Sequence, residues 1–177
     1  FDIQLAGVPA GTYGVQVTSN TPVGAAARMV RSGGEYPARS KALVHDQAWA
    51  QAALPGAADS GLLAVPRATS LSSAVTVANS GETTSVTLSS LDGSWKQDVK
   101  VAKGSSSVVE VPAKVSAVRL NAAGQKGSSG ASHTSSGLAA ATIVTAQAGG
   151  DLAGTLISTV PAQPDATVQA QRRILLD

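Results

Sequence analysis

Residues 73–112, SAVTVANSGETTSVTLSSLDGSWKQDVKVAKGSSSVVEVP, decide the fold. Val75 and Val77 alternate with polar or small neighbours until Asn79-Ser80-Gly81 interrupts the pattern. Thr84, Val86 and Leu88 then share one face, with Thr83, Ser85, Thr87 and Ser89 on the other. After Asp92-Gly93, Trp95, Val99 and Val101 point one way and Lys96, Asp98 and Lys100 the other. Lys103-Gly104 turns the chain again, and Val109 and Val111 close the set. Strict period two, broken at short intervals by turn dipeptides, is the pattern of half-buried antiparallel strands joined by tight turns. It predicts four strands, with Trp95 as a plug between two sheets because it shares a face with Val99 and Val101.

The same period extends outward. On the C-terminal side, Val115–Asn121, Leu138–Thr145 and Gly154–Val160 read as strands, as does Thr167–Leu176 at the end. Gly124–Gly137, GQKGSSGASHTSSG, is a low-complexity Gly/Ser run and is expected to be flexible. On the N-terminal side, Leu62–Val65 is a short strand stopped by Pro66, and Leu54-Pro55-Gly56 is the best domain boundary. Asp46–Ala53 alternates alanines against Gln47, Trp49 and Gln51 and is read as a strand. Ser32–Lys41 is a loop by composition. Val23–Val30 is a small-residue strand, and Phe1–Leu5 and Tyr13–Val17 are two more, which puts Tyr13 in the core with Val15 and Val17.

The 177 residues suffice for one large β-domain or two small ones. They are 43% hydrophobic but only 3% aromatic, so the core must be built from Val, Ala, Leu and Ile, which suits thin sandwiches. Charged residues make up 14%, well under the usual quarter or so, with Ser, Thr and Gln supplying polarity in an extracytoplasmic manner. The net charge of +2 is scattered, and the clustered basic face of a nucleic-acid binder is missing. No cysteine is present, which excludes disulfides and thiolate metal sites. No apolar run approaches the roughly 20 residues of a membrane span. Phe1 begins inside a strand-like segment, so the expected parent is a longer chain.

An internal repeat is the next signal. Val8-Pro9-Ala10-Gly11 followed by Gly14-Val15-Gln16-Val17 resembles Val111-Pro112-Ala113-Lys114 followed by Ala117-Val118-Arg119-Leu120. Ala25–Val30, AAARMV, resembles Ala139–Val144, AAATIV, and Asp46-Gln47-Ala48 resembles Asp151-Leu152-Ala153. Three blocks in one order predict a partial module at 1–57, the second half of a repeat unit, and a complete module at 58–177. The strand of Thr167–Leu176 is then expected to fill the place missing beside the N-terminal half.

These blocks also carry a resemblance. Leu63-Ala64-Val65-Pro66, the strand end VANSGE at 77–82, the VPAG turn, AAARMV and the Asp46–Ala50 block DQAWA together resemble a family of uncharacterised actinobacterial proteins, secreted or membrane-anchored. The resemblance implies an envelope location and immunoglobulin- or fibronectin-like antiparallel β-sandwich modules, two packed in tandem being one arrangement. It implies no catalytic residues.

Chemistry is sparse. His45-Asp46 has the composition of a base with its orienting acid, but no Gly-x-Ser-x-Gly elbow accompanies it, and a loop histidine beside a capping aspartate is the simpler reading. His133 sits in the Gly/Ser run, where a catalytic group would be poorly held. The acidic residues lack calcium-loop spacing and the glycines lack phosphate-loop spacing, so no cofactor or metal is expected. Aromatics remain. Trp49, Trp95, Tyr13 and Tyr36 would make a sugar-stacking platform if exposed together. Trp95 and Tyr13 read as core, which leaves Tyr36, in a polar loop, and Trp49, whose face the alternation does not fix, as candidate ligand-binding residues. The expected function is a non-catalytic structural or interaction module of a cell-envelope protein, with an envelope protein or glycan as partner and carbohydrate binding as the alternative.

Overall fold

The computed structural model describes residues 3–4, 6–9, 11–35, 39–53, 59–122, 137–147 and 155–164. Among these the chain is all-β, with no helix and eleven strands: β1 (Ala26–Glu35), β2 (Leu43–Gln51), β3 (Ser60–Ala64), β4 (Leu71–Asn79), β5 (Thr84–Ser90), β6 (Lys96–Val101), β7 (Ser105–Glu110), β8 (Ala117–Ala122), β9 (Leu138–Gln147), β10 (Thr155–Pro161) and β11 (Gln163–Pro164). All pairings are antiparallel. A four-stranded sheet has the order β10-β9-β4-β7 and a five-stranded sheet the order β11-β3-β8-β5-β6, while β1 and β2 form a separate hairpin.

The two larger sheets face each other across one core. Val75, Val77, Val109 and Leu138 come from the four-stranded sheet, and Leu63, Val86, Leu88, Val101, Val118 and Leu120 from the other. Each fully buried Val or Leu contributes about 1.5–3 kcal/mol, against about 0.5–1.5 kcal/mol for a net hydrogen bond, so the period-two apolar pattern fixes register more firmly than the ladders do. A slip of one residue in β5 would send Val86 and Leu88 to solvent together.

The turns behave differently from one another. Asp92-Gly93 closes a true hairpin, with β5 pairing β6. The Ser94 backbone N–H and hydroxyl both donate to Asp92 Oδ1, at 3.0 and 2.9 Å. The Ser90 hydroxyl, followed by these Ser94 donors, lowers the Asp92 carboxyl to about 2. Asn79-Ser80-Gly81 and Lys103-Gly104 instead carry the chain from one sheet to the other, so neither β4–β5 nor β6–β7 pairs. Arg67 locks another connection. Its Nε donates to the Val115 carbonyl at 3.0 Å, and its Nη2 to those of Val111 and Pro112 at 2.8 and 3.0 Å, which holds the β7–β8 loop.

Trp95 departs from the expected plug. It is half-buried and packs against the margin of the core, because it precedes β6 at the outer edge of its sheet. Trp95→Ala should therefore cost about 2 kcal/mol rather than the 3–5 kcal/mol of a fully enclosed aromatic. Urea denaturation measures it, and a loss above about 4 kcal/mol would place the indole in the core.

The N-terminal region also differs. Residues 12–18 join no ladder, and Tyr13, Val15 and Val17 are exposed rather than core. An extended segment becomes a strand only when a neighbour takes its N–H and C=O groups. Here the Ser106 hydroxyl donates to Thr12 O at 3.0 Å, and Gly14 lies so close to Ala78 that a Cβ would sit 2.5 Å from the alanine methyl. Ile3 and Gln4 are not in a strand. The expected loop from Ser32 is shorter, since β1 continues through a register shift to Glu35, opposite Leu43. The 46–53 stretch is a strand as far as Gln51, the end of β2, and residues 52–53 lie beyond it. The Gly/Ser run up to 136 and the 167–176 strand lie outside the described residues.

Candidate functional site

The β1–β2 hairpin lies against β10, the edge strand of the four-stranded sheet, without extending its ladder. Alternation divides the hairpin into two faces. Ala27, Met29, Ala48 and Ala50 share the inner one, where Ala48 is buried. Asp46 is on the same face, and its Oδ2 accepts the Ile157 backbone N–H at 2.6 Å. The Thr159 hydroxyl donates to Trp49 O at 3.0 Å. Asp46 thus occupies a backbone donor on the β10 edge, and Thr159 a backbone acceptor of β2, in place of ladder pairing between the two strands.

The outer face carries Arg28, Val30, Gln47, Trp49 and Gln51. Trp49 is 58% exposed, with Gln47 and Gln51 two residues away on either side. Arg28 is its cross-strand partner, and the guanidinium carbon stands 5.8 Å from the indole centroid. At an exposed site such a cation–π contact contributes about 0.5–1 kcal/mol, enough to restrict the ring without burying it. The Trp49 backbone is pinned to β10 while its side chain faces solvent, so the ring is presented from a rigid element. The face offers a π surface, a cation and amide groups, which suit binding by stacking and hydrogen bonding.

Of the residues singled out from sequence, Trp49 lies on this face and Tyr36 lies outside the described residues. Tyr13 is exposed, with its hydroxyl donating to Pro9 O at 2.9 Å, and Trp95 is at the core margin of the sandwich. His45 and Asp46 are adjacent in a strand and so point to opposite faces, with Asp46 engaged by Ile157; the base-and-acid pairing does not form. His133 lies outside the described residues. Arg28 was missed in the sequence because only the register of β1 on β2 brings it to Trp49.

Among the described residues no group of three His, Asp or Glu side chains is placed to hold a metal ion. A shallow depression of about 210 Å³ lies between Thr69–Ser72 and Thr145–Gln147 and is lined by hydroxyl, amide and alkyl groups. Among the described residues no helix is long and apolar enough to cross a membrane.

The sequence pattern of a family of unknown function, DUF5719, matches residues 1–112. The chain belongs to that family. The match takes in the hairpin with its Trp49 face and the DUF5719 chain as far as the end of β7. No curated protein and no solved structure matches this DUF5719 member.

Proposed function

We propose that this DUF5719 protein is a non-catalytic, extracytoplasmic interaction module of an actinobacterial cell-envelope protein, built on an immunoglobulin-like sandwich. The observation that carries the reading is Trp49, held by its backbone to β10 and displayed to solvent under Arg28. The resemblance of the LAVP, VANSGE, AAARMV and DQAWA blocks to secreted or membrane-anchored proteins supports the location. Strand order supports the module type. The neighbours β4–β7 and β8–β5–β6 match the B–E and F–C–C′ neighbours of immunoglobulin sheets, although β9 stands in the place of the first strand and β3 in that of the last.

The test is retention of the purified chain by an envelope preparation from the cells that make it. Trp49→Ala is expected to cost no more than about 0.5–1 kcal/mol, the contribution of the Arg28 contact, and to lower retention about tenfold. Equal retention of both proteins, or recovery of the native protein from the cytosol alone, would overturn the reading. Gln47 and Gln51 beside Trp49 favour a second reading, an envelope glycan stacked on the indole. It requires a saturable change in Trp49 fluorescence on addition of soluble envelope polysaccharide.

A further inference from the structure

The two similar sequence blocks occupy similar elements in different surroundings. AAARMV runs from Ala25 into the start of a ten-residue strand, β1, that pairs with β2, and AAATIV lies in the ten-residue β9, which pairs with β10. Taking Ala27 as equivalent to Ala141 makes their partners Ala50 and Pro161 equivalent, and then Asp46 falls at the position of Ile157. The third sequence block, which aligned Asp46 with Asp151, is therefore out of register with the hairpins, while the first two are unaffected.

The equivalences identify what is missing around the first copy. Val118 and Leu120 of β8 are fully buried and Val144 of β9 is 8% exposed; their counterparts Val15, Val17 and Val30 are 55%, 57% and 53% exposed. β9 is paired on both edges, by β10 and by β4, whereas among the described residues β1 is paired by β2 alone. The side of β1 that corresponds to the core side of β9 is the one bearing Arg28 and Val30, the face shared with Trp49. Thr142, the counterpart of Arg28, reaches across the sandwich to donate to Ala64 O at 2.7 Å, so this position bonds to the opposite sheet in the complete copy. Arg28 brings five donors to the same place.

We propose that residues 14–51 are half of a second sandwich, and that their Trp49 face and the free edge of β1 bind a strand set of the β3–β7 type, supplied by a segment of the same design as residues 58–112. The proposal rests on reading the Trp49 face as an interaction surface and names its partner. A strand equivalent to β4 adds to β1 by antiparallel pairing, and its Val and Leu side chains cover Val15, Val17, Val30 and Trp49.

Two experiments test it. Since Pro112 corresponds to Pro9, residues 58–112 are joined directly to residue 10 of the chain, which supplies the missing set in its natural spacing. Hydrogen exchange at residues 14–17 and 26–30 should slow about 100-fold relative to the natural chain. Val15→Asp should abolish that gain in the fusion while leaving the melting temperature of the natural chain unchanged. Unchanged exchange in a fusion whose β3–β9 amides remain protected overturns the proposal. A peptide of sequence Leu71–Asn79 is also titrated into the natural chain, and Trp49 fluorescence is read as the difference from Trp49→Phe. A saturable blue shift absent with a scrambled peptide supports the pairing, and no shift up to millimolar peptide overturns it even if the fusion does not fold. A shift with envelope polysaccharide, when neither peptide nor fusion has an effect, overturns it in favour of the glycan. Loss of envelope retention in Trp49→Ala together with an unprotected fusion would leave the interaction module standing and remove this partner.

Discussion

Asn79→Asp is expected to destabilise the protein by about 3–5 kcal/mol at neutral pH, the cost of an uncompensated buried charge. Asn79 is 2% exposed, at the end of β4 where the chain leaves one sheet for the other. Its Nδ2 donates to Glu82 O at 2.7 Å and Val101 O at 3.0 Å, and its Oδ1 accepts from Gly81 N at 2.9 Å. The amide is thus matched to two carbonyls and one N–H. A carboxylate keeps the acceptor and turns its second oxygen against two carbonyl oxygens. Burial and those carbonyls raise the folded pKa of the new acid above its unfolded value of about 3.9. The folded state then holds the proton more tightly, so the variant is least impaired below about pH 4 and loses stability as pH rises through the folded value. Urea denaturation at pH 4 and pH 7 reads both effects. A variant as stable as wild type at pH 7 would show that the Asn79 side chain is not enclosed.

Gly137→Ala should cost about as much, 3–5 kcal/mol, through overlap that side-chain rotation cannot relieve. Gly137 has φ +75° and immediately precedes β9, with its carbonyl accepting from the Ser80 N–H at 3.0 Å and the Ser80 hydroxyl at 2.9 Å. A Cβ would lie 2.4 Å from Gly81 N and 2.8 Å from Gly81 Cα. Gly93 is the control: its φ is +73° but the space beside it is open. Gly93→Ala should cost only about 1–2 kcal/mol, the strain of the left-handed backbone. Equal losses at the two positions would remove the close approach of the two backbones from the account.

Strands β4 to β10 were legible because Val75, Val77, Val86, Leu88, Val118 and Leu120 alternate over a one-sided core, and alternation is local. The sheet to which each strand belongs was not. The Asn79-Ser80-Gly81 and Lys103-Gly104 turns read like hairpin turns, yet both switch sheets, and the partners that decide this lie dozens of residues away. The N-terminal segment failed for a related reason. Tyr13, Val15 and Val17 have the pattern of a strand, but a pattern supplies no ladder partner. Trp49 stood out as a candidate from its residue type and its glutamine neighbours, whereas its exposure and its pairing with Arg28 required the β1–β2 register. Arg67 looked like one of many scattered cations, since three bonds to backbone carbonyls leave no mark in the sequence.

The pairing of β4 with β9 has a consequence for the order in which the molecule can be made. These strands sit at the centre of their sheet, yet one spans Leu71–Asn79 and the other Leu138–Gln147. A nascent chain that has emerged only as far as Glu110 can pair β4 with β7 and β5 with β6, but the second edge of β4 stays open until β9 arrives. Closing so long a loop slows this step further, because the entropy of closure is lost before the contacts that reward it are made. The sandwich is completed late, after the chain through residue 147 is available, and until then β4 keeps one edge open beside its pairing with β7, a form that a chaperone can hold.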